Sequence, residues 1–65
     1  MAALTEDQWL TRSEVAERLR VPARSLAQWA HQGKGPRYAV FGKHARYRLS
    51  DVIRWETAQF GDDAA

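Results

Sequence analysis

The 65-residue chain contains no cysteine and no apolar run near the roughly 20 residues that a membrane-spanning helix requires. The missing cysteines exclude disulfide bonds, thiolate metal sites and cysteine nucleophiles. The first seven residues have neither the basic start nor the apolar stretch of a secretory signal peptide. The length allows one domain with one small core. We therefore expect a single-domain cytoplasmic protein with no membrane partner.

Acidic residues are missing from the whole middle of the chain. The segment 18–48 contains none of the eight acids but eight of the ten basic residues: Arg18, Arg20, Arg24, Lys34, Arg37, Lys43, Arg46 and Arg48. The net charge of only +2 hides this separation. A surface of one sign is typical of proteins that bind polyanions such as nucleic acid. An ordinary solvated surface, which usually mixes both signs, is the alternative.

Two adjacent helices are predicted from their end signals. A capping box that begins at Thr11 starts the first helix, which extends over 12–19. Pro22 suits the first turn of a second helix over 23–32, and Gly33 supplies the left-handed residue that ends it. Two short helices joined by a three-residue turn are typical of a helix-turn-helix unit.

A hairpin and a third helix are predicted next. Two short runs with aromatic and β-branched residues, 38–41 and 45–49, flank the turn 42–44 and indicate a β-hairpin. Ser50 is expected to cap a third helix that stops near Gly61. The predicted fold class is mainly α with a small β-hairpin, a winged helix-turn-helix in the order helix, helix, hairpin, helix.

The domain is expected to extend over 9–60, between a flexible arm over 1–8 and a flexible acidic tail over 61–65. On the first helix, Glu14 and Arg18 are four residues apart and are expected to form an exposed ion pair. The predicted core contains Leu10, Val15, Ala16, Leu19, Val21, Leu26, Trp29, Val40, Tyr47, Val52 and Trp55.

The second helix has a polar stripe opposite its predicted core side chains. The stripe consists of Arg24, Ser25, Ala27, Gln28 and His31. In the major groove of DNA, Arg can bind guanine and Gln can bind adenine through two hydrogen bonds, and the small Ala27 permits close approach. An ordinary solvent-exposed helix face has the same polarity. The position of the stripe inside the acid-free segment favours DNA.

The hairpin is interpreted as a wing that binds phosphates or enters the minor groove. Its candidate DNA contacts are Lys43, His44, Arg46 and Arg48. The alternative is a hairpin whose charges only protect an exposed sheet edge. Candidate phosphate contacts elsewhere are Thr11, Ser13, Arg20, Lys34 and Arg37. For the first two of these, the free amides and the dipole at the start of the first helix favour an anion.

No catalytic or metal-binding constellation is evident. The spacing from Gly35 to Lys43 does not fit a phosphate-binding loop, and His44 stands where such a loop needs Ser or Thr. His31 and His44, the only histidines, have no cysteine and no nearby acid to complete a metal site. We expect no enzyme activity, no metal and no cofactor.

Six fragments in a fixed order carry a family resemblance. They are Leu10-Thr11-x-x-Glu14-Val15-Ala16-x-x-Leu19, Val21, Leu26-x-x-Trp29, Gly35-Pro36-x-Tyr38, Gly42-x-x-x-Arg46-Tyr47-Arg48 and Ser50-Asp51-Val52-x-x-Trp55. Together they resemble the excisionase-type, MerR-like winged helix-turn-helix domains of bacteria and their phages. The resemblance covers about 9–60 and implies a recognition helix in the major groove and a wing in the minor groove. The chain departs from that family in having Arg20 for the usual Gly, Pro22 for the usual Ser, and Gln28 where Arg is frequent.

The resemblance implies two possible functions, both through double-stranded DNA. One is an excisionase, or recombination directionality factor, which binds repeated sites, bends DNA and assists a tyrosine or serine integrase in site-specific recombination. The other is a small transcriptional regulator that uses the same surface. A protein-interaction adaptor that docks a partner through the third helix is the alternative from another class.

The expected setting follows from the same interpretation. MerR-type regulators append a dimerisation helix and an effector domain, and we expect this chain to be a stand-alone module without a small-molecule effector. We expect a monomer in solution that binds DNA beside neighbouring copies of itself, since such contacts raise the effective concentration. The expected location is the bacterial nucleoid, and the expected origin is a phage or mobile element.

Overall fold

The computed structural model describes residues 8–61, which form three helices and a three-stranded antiparallel sheet. The elements, in chain order, are β1 (Trp9–Thr11), α1 (Arg12–Leu19), α2 (Ala23–His31), β2 (Ala39–Phe41), β3 (His44–Arg48) and α3 (Leu49–Phe60). The predicted winged helix-turn-helix order is confirmed. None of the three helices between residues 8 and 61 has the length and apolar character that crossing a membrane requires. The predicted arm and tail lie outside the described residues, apart from Gln8 and Gly61.

β1 is a strand that the sequence analysis missed. It pairs with β3, with Leu10 opposite Tyr47, and β2 pairs with the other side of β3, so the strand order is β1-β3-β2. The Leu49 backbone N–H also donates to the Gln8 carbonyl at 2.9 Å. A three-residue strand is too short to show an alternating pattern, which explains why periodicity did not indicate it. The strand ties the start of the domain to the wing.

The core contains one fully buried side chain from each helix and one from the central strand. These four side chains are Val15 of α1, Leu26 of α2, Tyr47 of β3 and Val52 of α3. Leu10 and Ala16 complete the buried cluster, and Leu19, Val21, Trp29 and Leu49 pack against it. Because all three helices and the strands β1 and β3 contribute to one cluster, the orientation of each helix is fixed relative to β3 of the wing.

Two of the predicted core residues, Val40 and Trp55, are neither in the buried cluster nor among the residues packed against it. The prediction for Val40 is wrong: its side chain is 59% exposed. It lies on β2, an edge strand, whereas the helices pack mainly on β1 and β3. Trp55 is half-buried, and its ring centroid lies 5.5 Å from that of Trp29. Trp55 is thus linked to the core through Trp29, which packs against the buried cluster.

The helix ends agree with the sequence signals at most positions. In the predicted capping box, the Thr11 hydroxyl accepts the Glu14 N–H at 3.0 Å, and the Glu14 carboxylate accepts the Thr11 N–H at 2.8 Å. Pro22 is the N-cap of α2 rather than a first-turn residue. The prediction of Ser50 as a cap is wrong, because α3 begins at Leu49 directly after β3. The hairpin therefore runs into the helix without a connecting loop.

Candidate nucleic-acid interface

α2 presents the predicted stripe to solvent. Leu26 is 1% exposed and Trp29 is half-buried on the inner face. The stripe residues Arg24, Ala27, Gln28 and His31 are exposed, and Ser25 is half-buried. No other part of residues 8–61 covers the four exposed side chains. The predicted orientation of the second helix is confirmed.

Trp29 holds α2 in one rotational orientation about the helix axis. This ring packs against Trp55 of α3 and also contacts the segment that follows α2. A Cβ atom on Gly35 would lie 3.2 Å from the Trp29 Cβ and 3.3 Å from its Cε3, so the backbone passes closely over the indole. Any larger side chain there would push on the helix that bears the stripe.

The wing has an open tip and a more constrained base. Lys43 and His44 are exposed at the turn that joins β2 to β3. Arg46 is half-buried, and its Nη1 donates to the Ala45 carbonyl at 2.8 Å. The Nε of Arg48 donates to the Asp51 carboxylate at 2.9 Å. The tip residues are thus exposed to solvent, whereas the charge of Arg48 is offset by the Asp51 carboxylate in the first turn of α3.

The predicted phosphate contacts are spread over three regions. Thr11 caps α1, and Ser13 is the exposed second residue of that helix. Arg20 is exposed in the turn between α1 and α2. Lys34 and Arg37 are exposed and line one cleft of about 270 Å³ beyond the end of α2. The structure therefore brings Lys34 and Arg37 together with Tyr38, while Thr11 and Ser13 lie two residues apart at the start of α1.

Two of the eight cations in the acid-free segment have carboxylate partners among the described residues. One is Arg48. The other is Arg18, whose Nε and Nη2 donate to the two oxygens of Glu56 at 2.6 and 3.0 Å. No Asp or Glu oxygen between residues 8 and 61 lies within 4.0 Å of the other six, which are Arg20, Arg24, Lys34, Arg37, Lys43 and Arg46. The surface keeps a large excess of positive charge.

The expected ion pair within α1 is not formed. The Glu14 carboxylate accepts the Thr11 N–H, and Arg18 reaches across to Glu56 of α3 instead. The hydrogen bond from Arg18 lowers the pKa of Glu56 below its ordinary value and raises the pKa of Arg18. This bidentate contact joins the first and third helices on the protein surface.

A group of one arginine and two tyrosines beside the stripe, the Arg12 cluster, was missed by the sequence analysis. The Nε of Arg12 donates to the Tyr47 hydroxyl at 3.1 Å. The Arg12 guanidinium carbon also lies 5.4 Å from the centroid of the Tyr38 ring and 5.9 Å from that of Tyr47. Arg12 lies outside the acid-free segment and has no periodic signal in the sequence. Arg12 reaches the two tyrosines only in the folded protein, where α1, β3 and the loop that precedes β2 come together.

Tyr38 connects the separate parts of this surface. It borders a cleft with Arg12, Gln28 and His31, and a second cleft with Lys34 and Arg37. A third cleft places it beside Arg48 at the base of the wing. Within residues 8–61, no group of three His, Asp or Glu side chains is arranged to hold a metal ion. The continuous feature is a cationic surface around the exposed face of α2.

An exposed second helix, a β-hairpin that follows it and a surface of positive charge define a winged helix-turn-helix DNA-binding domain. The chain matches a family model described as a helix-turn-helix domain over residues 9–59, and it belongs to that family. Searches of curated proteins and of solved structures gave no match. The protein is therefore a DNA-binding protein of the helix-turn-helix class.

Proposed function

We propose that α2 enters the major groove of duplex DNA and reads bases through Arg24 and Gln28. The observation that carries this proposal is the exposed polar stripe of α2, whose orientation is fixed by Leu26 and Trp29 on the opposite face. An α-helix fits the major groove, where Arg and Gln distinguish guanine and adenine. The open wing tip then supplies contacts to phosphates or to the minor groove.

We further propose that the protein is an excisionase, or recombination directionality factor. The six sequence fragments that resemble excisionase-type, MerR-like domains support this role, and they span the same region as the helix-turn-helix match. In this role, copies bind neighbouring repeats, bend the DNA and promote excision by an integrase. Contacts between adjacent copies would raise their effective concentration on the site.

An excision reaction in vitro tests this role. The genome is first searched for an integrase gene beside the gene of this protein. A linear DNA that carries the two recombined attachment sites of that integrase is then incubated with it, with and without the protein. The proposal predicts excised circles only when the protein is present, together with footprints on repeated sequences beside the attachment core. Excision that is equally efficient in both reactions, with a footprint over a promoter and altered transcription, would favour the regulator.

The adaptor alternative has one structural feature in its favour. Phe60 and Ile53 of α3 are 69% and 44% exposed, and Phe60 lines an apolar cleft with Leu19 and Trp55. An adaptor that docks a partner there would need no DNA. Binding to duplex DNA that is weak and insensitive to salt would favour it over both DNA-based roles.

A further inference from the structure

We infer that Arg12 is a further DNA contact and that its guanidinium binds a backbone phosphate at the edge of the groove occupied by α2. The inference rests on the proposed DNA-binding mode and adds a site on a different element, the first residue of α1. Arg12 is neither in the polar stripe nor in the wing.

Two tyrosines hold the Arg12 side chain. Tyr47 is 1% exposed, so its hydroxyl is a fixed acceptor for the Arg12 Nε. Tyr38, which is 39% exposed, lies beside the guanidinium. A guanidinium held in one orientation loses less side-chain entropy on binding than a free one. Arg12 is thus prepared for a ligand before DNA arrives.

The charge of Arg12 has no carboxylate partner inside the described part of the protein. No carboxylate between residues 8 and 61 lies within 4.0 Å of it, and its contact with Tyr47 engages one of the five N–H donors of a guanidinium. A tyrosine hydroxyl is neutral, so the positive charge is not offset. The natural ligand for such a group is a multivalent oxyanion such as phosphate.

The location of Arg12 selects the DNA backbone as the source of that phosphate. Arg12 lines a cleft of about 440 Å³ together with Ala27, Gln28 and His31 of the recognition stripe. When α2 lies in the major groove, a group on the adjoining helix meets the strand that borders the groove. Phosphate contacts of this type fix the position of a recognition helix on the duplex.

The test compares Arg12→Met with Arg54→Met, an equal charge loss on α3 outside this cleft. Two duplexes of equal length are used, one with a footprinted site and one with that site scrambled. Arg12→Met should weaken both about tenfold. It should also make the slope of log K against log salt shallower by about 0.9, the value for one phosphate. Arg54→Met should change each affinity less than about twofold.

Tyr38→Leu tests the positioning without removing the charge. It should weaken both duplexes about two- to fivefold, as expected for loss of an exposed cation–π contact, and leave the salt slope unchanged. Thermal unfolding confirms that each variant is folded. If Arg12→Met does not fold, Arg12→Lys replaces it and should weaken both duplexes with no change of slope.

The possible results distinguish failure of the Arg12 inference from failure of the proposed function. The inference would be overturned if Arg12→Met had the same affinity and salt slope as Arg54→Met. It would also be overturned if Arg12→Lys and Tyr38→Leu both bound DNA like wild type. A loss confined to the footprinted duplex would also overturn it, because it would indicate a base contact. Wild-type protein that ignores both duplexes at low salt would instead refute the proposed function itself.

Discussion

Arg20 has a left-handed backbone, with φ 62° and ψ 41°, in a place where glycine is the usual choice. Its N–H donates to the Glu17 carbonyl at 3.2 Å, and the next N–H, of Val21, reaches back to Ala16 at 3.0 Å. α2 ends in the same pattern with Gly33, at φ 72°. An L-residue pays roughly 1–2 kcal/mol for this conformation. We infer that Arg20 is tolerated there because its exposed charge serves binding.

The variant Arg20→Gly separates the effect of Arg20 on stability from its effect on DNA binding. The change relieves the backbone strain but adds freedom to the unfolded chain, so we expect the free energy of unfolding to rise by about 0.5–1 kcal/mol. We also expect weaker binding to every duplex, because a phosphate contact is lost. Urea unfolding and DNA titration measure the two quantities. Arg20→Lys keeps both strain and charge and is the control.

A less stable Arg20→Gly variant would show that the arginine makes stabilising contacts within the protein. Unchanged DNA affinity would remove Arg20 from the phosphate contacts. Either result would contradict the account of this residue.

At the scale of the elements, structure that depends on neighbouring residues could be predicted from the sequence, and contacts between distant residues could not. The bounds of α1 match the sequence prediction, because the capping box that starts it acts within a few residues and Pro22 cannot continue it. β1 depends on pairing with β3, 35 to 39 residues away, and Arg18 pairs with Glu56 of α3 rather than with Glu14 of its own helix. The exposed stripe of α2 was found because amphipathic spacing reveals it. The Arg12 cluster combines three elements and has no such signal.

The contact between Arg18 and Glu56 predicts a pH effect on stability. The hydrogen bond from Arg18 lowers the pKa of Glu56 in the folded protein. Its contribution is therefore complete above the unfolded pKa of about 4.3 and is lost as the pH falls through the lower folded value. Wild type should unfold at a higher temperature than Glu56→Gln at pH 7, and the difference should shrink below about pH 4.

Thermal unfolding from pH 7 to pH 2.5 tests this expectation. Glu17→Gln removes an exposed acid of α1 that has no cation within 4.0 Å in the described part of the chain, and it is the matched control. Because the pair is exposed, the effect should be small. A difference between wild type and Glu56→Gln that stays constant or grows toward acid would contradict it.

At the scale of the whole molecule, most cations of the acid-free segment lie apart from the few carboxylates, and we expect this distribution of charge to govern DNA binding. Six cations of the acid-free segment have no carboxylate partner among residues 8–61, and the two that do are Arg18 and Arg48. The first pair joins α1 to α3, and the second joins the wing to the start of α3. Glu56 and Asp51 thereby hold elements together, while the surface around α2 stays positive.

This distribution predicts a strong salt dependence. With four to six phosphates neutralised per copy, log K should fall against log salt with a slope of about −4 to −5, at about 0.9 per phosphate. Fluorescence anisotropy on a labelled duplex from 50 to 300 mM salt measures it. A slope near zero would contradict a phosphate-binding surface and would favour the adaptor.

The central claim is that the exposed face of α2 reads bases, and Arg24→Ala tests it most directly. Selection of bound sequences from a random duplex pool gives the base preference of wild type and of the variant, with Lys43→Ala of the wing tip as the control. The account predicts that Arg24→Ala loses roughly 1–3 kcal/mol at the selected site and relaxes one base position. Lys43→Ala should weaken all sequences about equally. An Arg24→Ala variant with the affinity and the base preference of wild type would contradict the account.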